Sequence, residues 1–365
     1  MKYVDLHVHF DGAIRHSSLH EIALKYIDND NINNINDGIE ELDLILDKSY
    51  DHFIKKIVVN STNLVEFLKP FHLVIKLIKW AVNNIGYDIL TKLAFEICED
   101  MYTNDVIYFE LRYNPYYFIQ QNNIAEQNIL SGFKCIDDVQ NVYDYINKGL
   151  KQGFEKYGIY SNHILCISRR HNGLYAKETV HLAHKNGCGI DVSGSEIPSI
   201  DNNIIEAYKC AVELNVPRTC HTEDPKDFEN VMLLNVQRIG HGYYIINNEM
   251  MLQRIKDNNI HMECCLVAGS YGNGYPEIKL KASKVFNDRG ISFSLNTDDP
   301  TMKRNCSMKQ DFLIYFRNSY DDKVDFEIDY LYYSEQYISI TTQSILHSFA
   351  SDQVKQILLH LIRLD

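Results

Sequence analysis

The chain has 365 residues, 45% hydrophobic and 23% charged, with only 17 Gly and 7 Pro; this excludes collagen-like, low-complexity and disordered readings and implies a sizeable buried core. Its 36 basic residues against 49 acidic ones give a formal net charge of −13 with no long Lys/Arg run, which argues against nucleic acid and anionic membranes as partners. A barrel of this length is routinely one domain, so residues 1–365 are expected to form a single unit.

The opening MKYVDLHVHFDG interrupts its apolar residues at Asp5, His7 and His9 and does not read as a signal peptide. The first expected strand is Tyr3–His7. Ser18 followed by Glu21 gives a capping-box pattern opening an apolar helix. The stretch Ile27 to Asp47, rich in Asn, Asp and Ile, reads as a helix end, a polar loop and another short helix. The most apolar run, Phe71 to Val82, is broken by Lys76 and Lys79, so no membrane span is expected. Seven more strands are expected at Val106–Arg112, His163–Ile167, Cys188–Val192, Pro217–His221, Gln237–Gly240, His261–Cys264 and Ile291–Asn296. Helical patterns alternate with them: Thr91–Met101, Val139–Tyr157, Ala176–Lys185, Ile204–Leu214, Phe228–Leu234, Glu249–Asn258 and Ile278–Asn287. Repeated βα units imply parallel strands with right-handed crossovers, and eight of them predict a (β/α)8 barrel of the TIM type. Extra helices are expected in residues 17–104, after the first strand, and in a tail after about residue 305. Nine cysteines without CxxC spacing suggest reduced thiols and a cytoplasmic setting.

Barrel enzymes build their sites at the C-terminal ends of the strands. Those ends carry His7 and His9, His221, His241 within Gly240-His241-Gly242, and Asp298-Asp299-Pro300. His7 and His9 are two residues apart on a strand, so both face one side, which in a barrel is the interior. A third histidine and a carboxylate from other strand ends make a donor set suited to a zinc-class cation with one position open for water. Two adjacent carboxylates at Asp298 and Asp299 repel each other unless a cation keeps one ionised. The pairs His16/His20 and His181/His184 share helix faces but lack a companion carboxylate motif, and Gly269–Tyr275 lacks the Lys-Ser/Thr of a phosphate loop. Tyr113-Asn114-Pro115 reads as a structural turn.

These residues stand in segments that resemble the adenosine deaminases of the animal type: VDLHVHFDGAI, FELRYNP, GIDVSGSE, RTCHTED, RIGHGYY and SLNTDDP. The resemblance runs essentially end to end. It implies a zinc ion (Zn2+) held by His7, His9, His221 and Asp298, and a place in purine metabolism with a purine nucleoside as the small-molecule partner. It further implies that His241 and Asp299 orient and deprotonate the water that attacks C6, that Asp299 contacts N7 and that the Gly194 backbone N–H contacts N3. Asp11 is similar to the residue that receives the ribose 5′-hydroxyl, and an anionic acceptor there disfavours a 5′-phosphate. Leu64, Phe67, Leu68 and Phe71 lie at i, i+3, i+4 and i+7, a helical stripe that the resemblance makes a hydrophobic lid, with Pro70 interrupting regular helix geometry.

The chain also departs from the family's pattern. Where relatives carry His-Ala-Gly-Glu it reads His221-Thr222-Glu223-Asp224, which puts Asp224 at the position that donates a proton to N1 and leaves Glu223 as a longer neighbour. The segment from Glu263 to Ser270 also lacks the usual Cys-Pro-x-Ser/Asn pattern. Three readings follow: a working adenosine deaminase producing inosine and ammonia, a pseudoenzyme that binds nucleoside or a partner with little turnover because the proton donor is shortened to Asp224, or a different zinc-dependent amidohydrolase acting on another substrate.

Overall fold

Eight strands, all paired in parallel, line the centre of the computed structural model, which describes residues 1–28, 48–58, 64–120, 135–169, 173–194, 199–223, 225–267, 277–319 and 330–363. Within these, the side chains of residues 64–68, 135–137 and 330–333 are outside the description. One ladder runs β1 (Tyr3–His9), β2 (Val106–Tyr113), β3 (Tyr160–Ser168) and β4 (Gly189–Ser193). The second runs β5 (His221–Thr222), β6 (Arg238–His241), β7 (His261–Cys264) and β8 (Phe293–Leu295). Backbone hydrogen bonds join the two. Between β4 and β5, Ile190 N–H donates to Pro217 O and Thr219 N–H to Ile190 O, both at 2.9 Å. Between β8 and β1, Asp298 N–H donates to His7 O at 2.7 Å and His9 N–H to Asp298 O at 2.9 Å. The sheet therefore closes on itself, as the repeated βα pattern predicts. The expected strand Pro217–His221 narrows to β5, while Arg218 keeps a bridge to Ile190.

Helices cover the barrel. Those after β1 are α1 (His16–Asp28), α2 (Tyr50–Ile57), α3 (Leu64–Asn84) and α4 (Asp88–Thr103). Then follow α5 (Cys135–Tyr157), α6 (Ala176–Asn186), α7 (Asn202–Glu213), α8 (Phe228–Leu233), α9 (Glu249–Asp257) and α10 (Glu277–Arg289). The tail forms α11 (Met308–Ser319), α12 (Tyr330–His347) and α13 (Asp352–Leu361). The turn between the last two plugs the N-terminal end of the barrel. There Phe349 N–H donates to Glu110 Oε1, and the Arg238 guanidinium lies 3.7 Å from the Phe349 ring centroid. No helix among the described residues is long and apolar enough to cross a membrane.

Two local expectations meet a different outcome. The capping box at Ser18 does not form, because α1 already begins at His16 and the Ser18 hydroxyl donates instead to Glu96 on α4 at 2.6 Å. Glu21 pairs with Lys25 and with Lys92, so contacts with the neighbouring helix outcompete the local cap. Pro70 is absorbed inside α3, whose backbone continues through it to Asn84. Asn114 does make the expected turn, accepting from Tyr116 N–H at 3.0 Å with Pro115 opening a short 3₁₀ segment. Most of Ile27–Asp47 and all of Gly269–Tyr275 lie outside the described residues.

The packing of α4 against α5 depends on a small residue. A Cβ at Gly153 would sit 2.4 Å from both Cβ and Sγ of Cys98, a distance that forces the helices apart. Gly153→Val is expected to destabilise the fold by about 1–3 kcal/mol through overpacking, read as a lower midpoint in urea denaturation. An unchanged midpoint would show that the two helices separate without cost.

Candidate metal centre and active site

The period-two alternation of β1 places Asp5, His7 and His9 on the barrel interior, where His7 and Asp5 are fully buried. His221 opens β5, His241 ends β6, and Asp298 follows β8. Four of these residues converge. His7 Nε2 lies 3.0 Å from His221 Nε2, and His9 Nε2 lies 3.1 Å from the same atom. Asp298 Oδ1 stands 3.4 Å from His7 Nε2 and 3.3 Å from His9 Nε2. A tetrahedral shell with metal–nitrogen bonds of about 2.0–2.1 Å sets its donor atoms roughly 3.3 Å apart, so the spacing fits a zinc-sized ion.

The carboxylates behind the rings make the same case. His7 Nδ1 is 2.6 Å from Glu263 Oε2, and His221 Nδ1 is 2.8 Å from Asp191 Oδ2. Carboxylates on Nδ1 hold the proton there and leave Nε2 as a bare lone pair on each ring. Lone pairs facing each other at 3.0 Å repel, and a cation between them removes the repulsion. The donor set thus fits zinc on its own chemistry.

His241 sits beside this cluster with Nε2 3.8 Å from Asp298 Oδ2, the carboxylate oxygen turned away from His7 and His9. Burial, the largest influence, holds the His241 imidazole well below its ordinary pKa, so it is a neutral base near pH 7. Asp298 is held well below the usual carboxylate range: burial opposes ionisation, but the contact with His7 outweighs it. Asp299 goes the other way: burial, then the neighbouring Asp298 and Asp11, push it well above the carboxylate range. The adjacent acids are therefore shifted in opposite directions. Half-buried Asp11 is pushed up to about 6, chiefly by burial and with the charge of Asp298 adding to it.

Two positions of the site use unusual backbone. His241 has φ 67° and Asp298 φ 61°, the left-handed region that costs a non-glycine residue about 1–3 kcal/mol and clusters at functional sites. Gly12 supplies room for Asp299, because a Cβ there would lie 1.9 Å from Asp299 Oδ1.

The remaining sequence candidates are placed less fully. Gly194 follows β4, exposed, at φ +101°. Leu64, Phe67 and Leu68 lie on the backbone of α3, but their side chains are outside the described residues, and Phe71 packs half-buried against the core. Asp224 also lies outside the described residues, while Glu223 beside it is half-buried. His16 Nε2 is engaged by the Thr301 carbonyl at 2.6 Å, and His20 Nε2 lies 3.2 Å from that of Lys48.

Reading the sequence for strand-end residues missed the layer beneath the ligands. Asp5 accepts from the Thr297 hydroxyl at 2.6 Å and from its N–H at 3.2 Å, which fixes the segment leading to Asp298. Glu263, Arg112, Asp191, Arg238 and Glu110 are all fully buried inside the barrel. Their signal was a charged residue at an inward position of an otherwise apolar strand, as in FELRY and HMEC.

Residues 3–364 match the family model described as adenosine deaminase. The adenosine deaminase of Vibrio vulnificus is 27% identical, over 98% of this chain and 96% of that one. That of Danio rerio is 29% identical, over 82% and 80%. Among solved structures, an Arabidopsis N6-mAMP deaminase superposes with a TM-score of 0.74 at 22% identity, covering 100% of this chain and 98% of that one. An adenine deaminase from Arthrobacter aurescens gives 0.72 at 16%, covering 99% and 98%. At these identities the structural likeness establishes the barrel fold.

Protein dialysed against zinc and then against metal-free buffer is expected to retain about one equivalent, measured by elemental analysis. His221→Ala removes a donor close to both His7 and His9 and is expected to lose most of it. Equal zinc in both proteins would show that these atoms do not form the site.

Proposed function

This chain belongs to the adenosine deaminase family, and on that premise we propose that it catalyses the zinc-dependent hydrolytic deamination of adenosine, and of 2′-deoxyadenosine, to the inosine product and ammonia. One observation carries the reading: the ligand atoms of His7, His9, His221 and Asp298 converge, with His241 and Asp299 beside Asp298.

His7, His9, His221 and Asp298 would hold a zinc ion, which would supply the Lewis acidity that lowers the pKa of a nearby water to about 7. The protein's own groups do the rest. Neutral His241 has a lone pair free to take a proton from the water as it adds to C6. Asp299, pushed well above the carboxylate range, is suited to give N7, an acceptor, a hydrogen bond and so fixes the purine in register. Asp11 receives the ribose 5′-hydroxyl, and the Gly194 backbone N–H donates to N3. The stripe of Leu64, Phe67, Leu68 and Phe71 covers the apolar faces of the nucleoside. Asp224 donates the proton to N1 that makes C6 electrophilic, one methylene shorter than glutamate in that place. The products are inosine and ammonia, with the water's oxygen on C6.

The fall in ultraviolet absorbance of adenosine with zinc-loaded protein tests the reading directly. Turnover above the chelated control, restored by added zinc, is expected, and its absence in metal-replete protein would leave a nucleoside-binding pseudoenzyme. Adenosine should be turned over faster than adenine, AMP or N6-methyl-AMP; a preference for either nucleotide would sink the assignment of Asp11. Asp224→Glu is expected to raise kcat, since general acid catalysis contributes about 10²–10⁴-fold and depends on reach; an unchanged rate would show that Asp224 is not limiting. Gly12→Ala displaces Asp299, and a misplacement of about 1 Å should cost on the order of 10²-fold in kcat with zinc content retained.

A further inference from the structure

Two carboxylates hold the metal-facing histidines, and one guanidinium holds both carboxylates. Glu263 Oε2 is shared by His7 Nδ1 at 2.6 Å and Arg112 Nη2 at 2.8 Å. Asp191 Oδ2 is shared by His221 Nδ1 at 2.8 Å and Arg112 Nη1 at 3.1 Å. Arg112 Nη2 also donates to the Leu6 carbonyl, one residue before His7, at 2.7 Å. Arg112, Glu263 and Asp191 are all inaccessible to solvent. They come from β2, β7 and β4, so the chain of contacts spans both ladders of the barrel.

We propose that Arg112 is a positioning residue that sets His7 and His221 as a pair: through Glu263 and Asp191 it fixes the orientation and tautomer of both rings, so that their Nε2 atoms face the same point. The assignment rests on the metal-centre reading given above. Arginine suits the task because its planar fork offers parallel N–H groups at a fixed angle, one for each carboxylate. A lysine, with one point-like ammonium, cannot face both oxygens in the same way. Glu263 Oε1 is further restrained by the Thr219 hydroxyl at 2.9 Å and by Arg238 Nε at 2.7 Å, so the carboxylate cannot turn to relieve the loss of Arg112. The Asp191 arm depends more heavily on Arg112.

The test uses the full chain and compares Glu263→Gln, Asp191→Asn and Arg112→Lys with the parent. Zinc affinity is read by competition with a chromophoric chelator. The ligand field is read from the visible bands of the cobalt-substituted protein, and folding from the thermal midpoint of the metal-free form. Each carboxylate variant is expected to bind zinc about 10–100-fold more weakly, with shifted cobalt bands that a merely structural role would leave in place. Arg112→Lys is expected to weaken zinc at least as much as Asp191→Asn. Should Arg112→Lys fail to fold, the cycle of the two carboxylate variants decides. A combined loss different from the product of the single losses marks a shared clamp, and simple multiplication overturns it. Affinities within twofold of the parent and unchanged cobalt spectra also overturn the proposal, as does Arg112→Lys binding zinc as tightly as the parent. A parent that binds neither zinc nor cobalt defeats the metal-centre reading itself, and this inference with it.

Discussion

Asp298 carries two jobs in one residue. Its backbone N–H and C=O bond to His7 and His9 and close the barrel between β8 and β1, while its side chain approaches the Nε2 atoms of the same two histidines. Closing the barrel and assembling the donor set are therefore a single event. The left-handed backbone at Asp298 is the local cost of turning the side chain inward while the main chain stays in the ladder. Asp5 steadies this joint from β1 by accepting from both the N–H and the hydroxyl of Thr297.

A second consequence is electrostatic. The buried interior holds the carboxylates of Asp5, Asp191, Glu110, Glu263 and Asp298 beside the guanidiniums of Arg112 and Arg238. An uncompensated charge at this depth is costly; Asp191 and Glu263 meet it by sharing Arg112, and Glu110 by pairing with Arg238. Asp298 faces histidines instead, which is where a divalent cation would supply the balancing charge. Burial and the adjacent Asp298 push Asp299 the other way, well above the carboxylate range.

The converging residues differ from the other site candidates in how the backbone holds them. His7, His9, His221 and Asp298, with the carboxylates of Glu263 and Asp191, stand on strands or immediately after them, where ladder hydrogen bonds fix the backbone. Asp11 and Gly194 follow β1 and β4, and α3 lies outside the barrel wall.

The sequence by itself determined much of this protein. Alternating β-branched and 3.6-period runs gave eight strands and the helices between them, because each pattern is a local consequence of which face is buried. HVH on a strand, His221 at another strand end and TDDP marked the residues whose ligand atoms converge, because residue type at a strand end depends on nothing farther away. The buried layer of Glu263, Arg112 and Asp191 was decided only by the tertiary structure: these residues are 72 to 151 positions apart in the chain and meet because the sheet curls shut. The same holds for the Ser18 cap, which lost to a glutamate on another helix. Which partner a buried charge finds depends on strand order and closure, and those emerge only when the whole barrel is assembled.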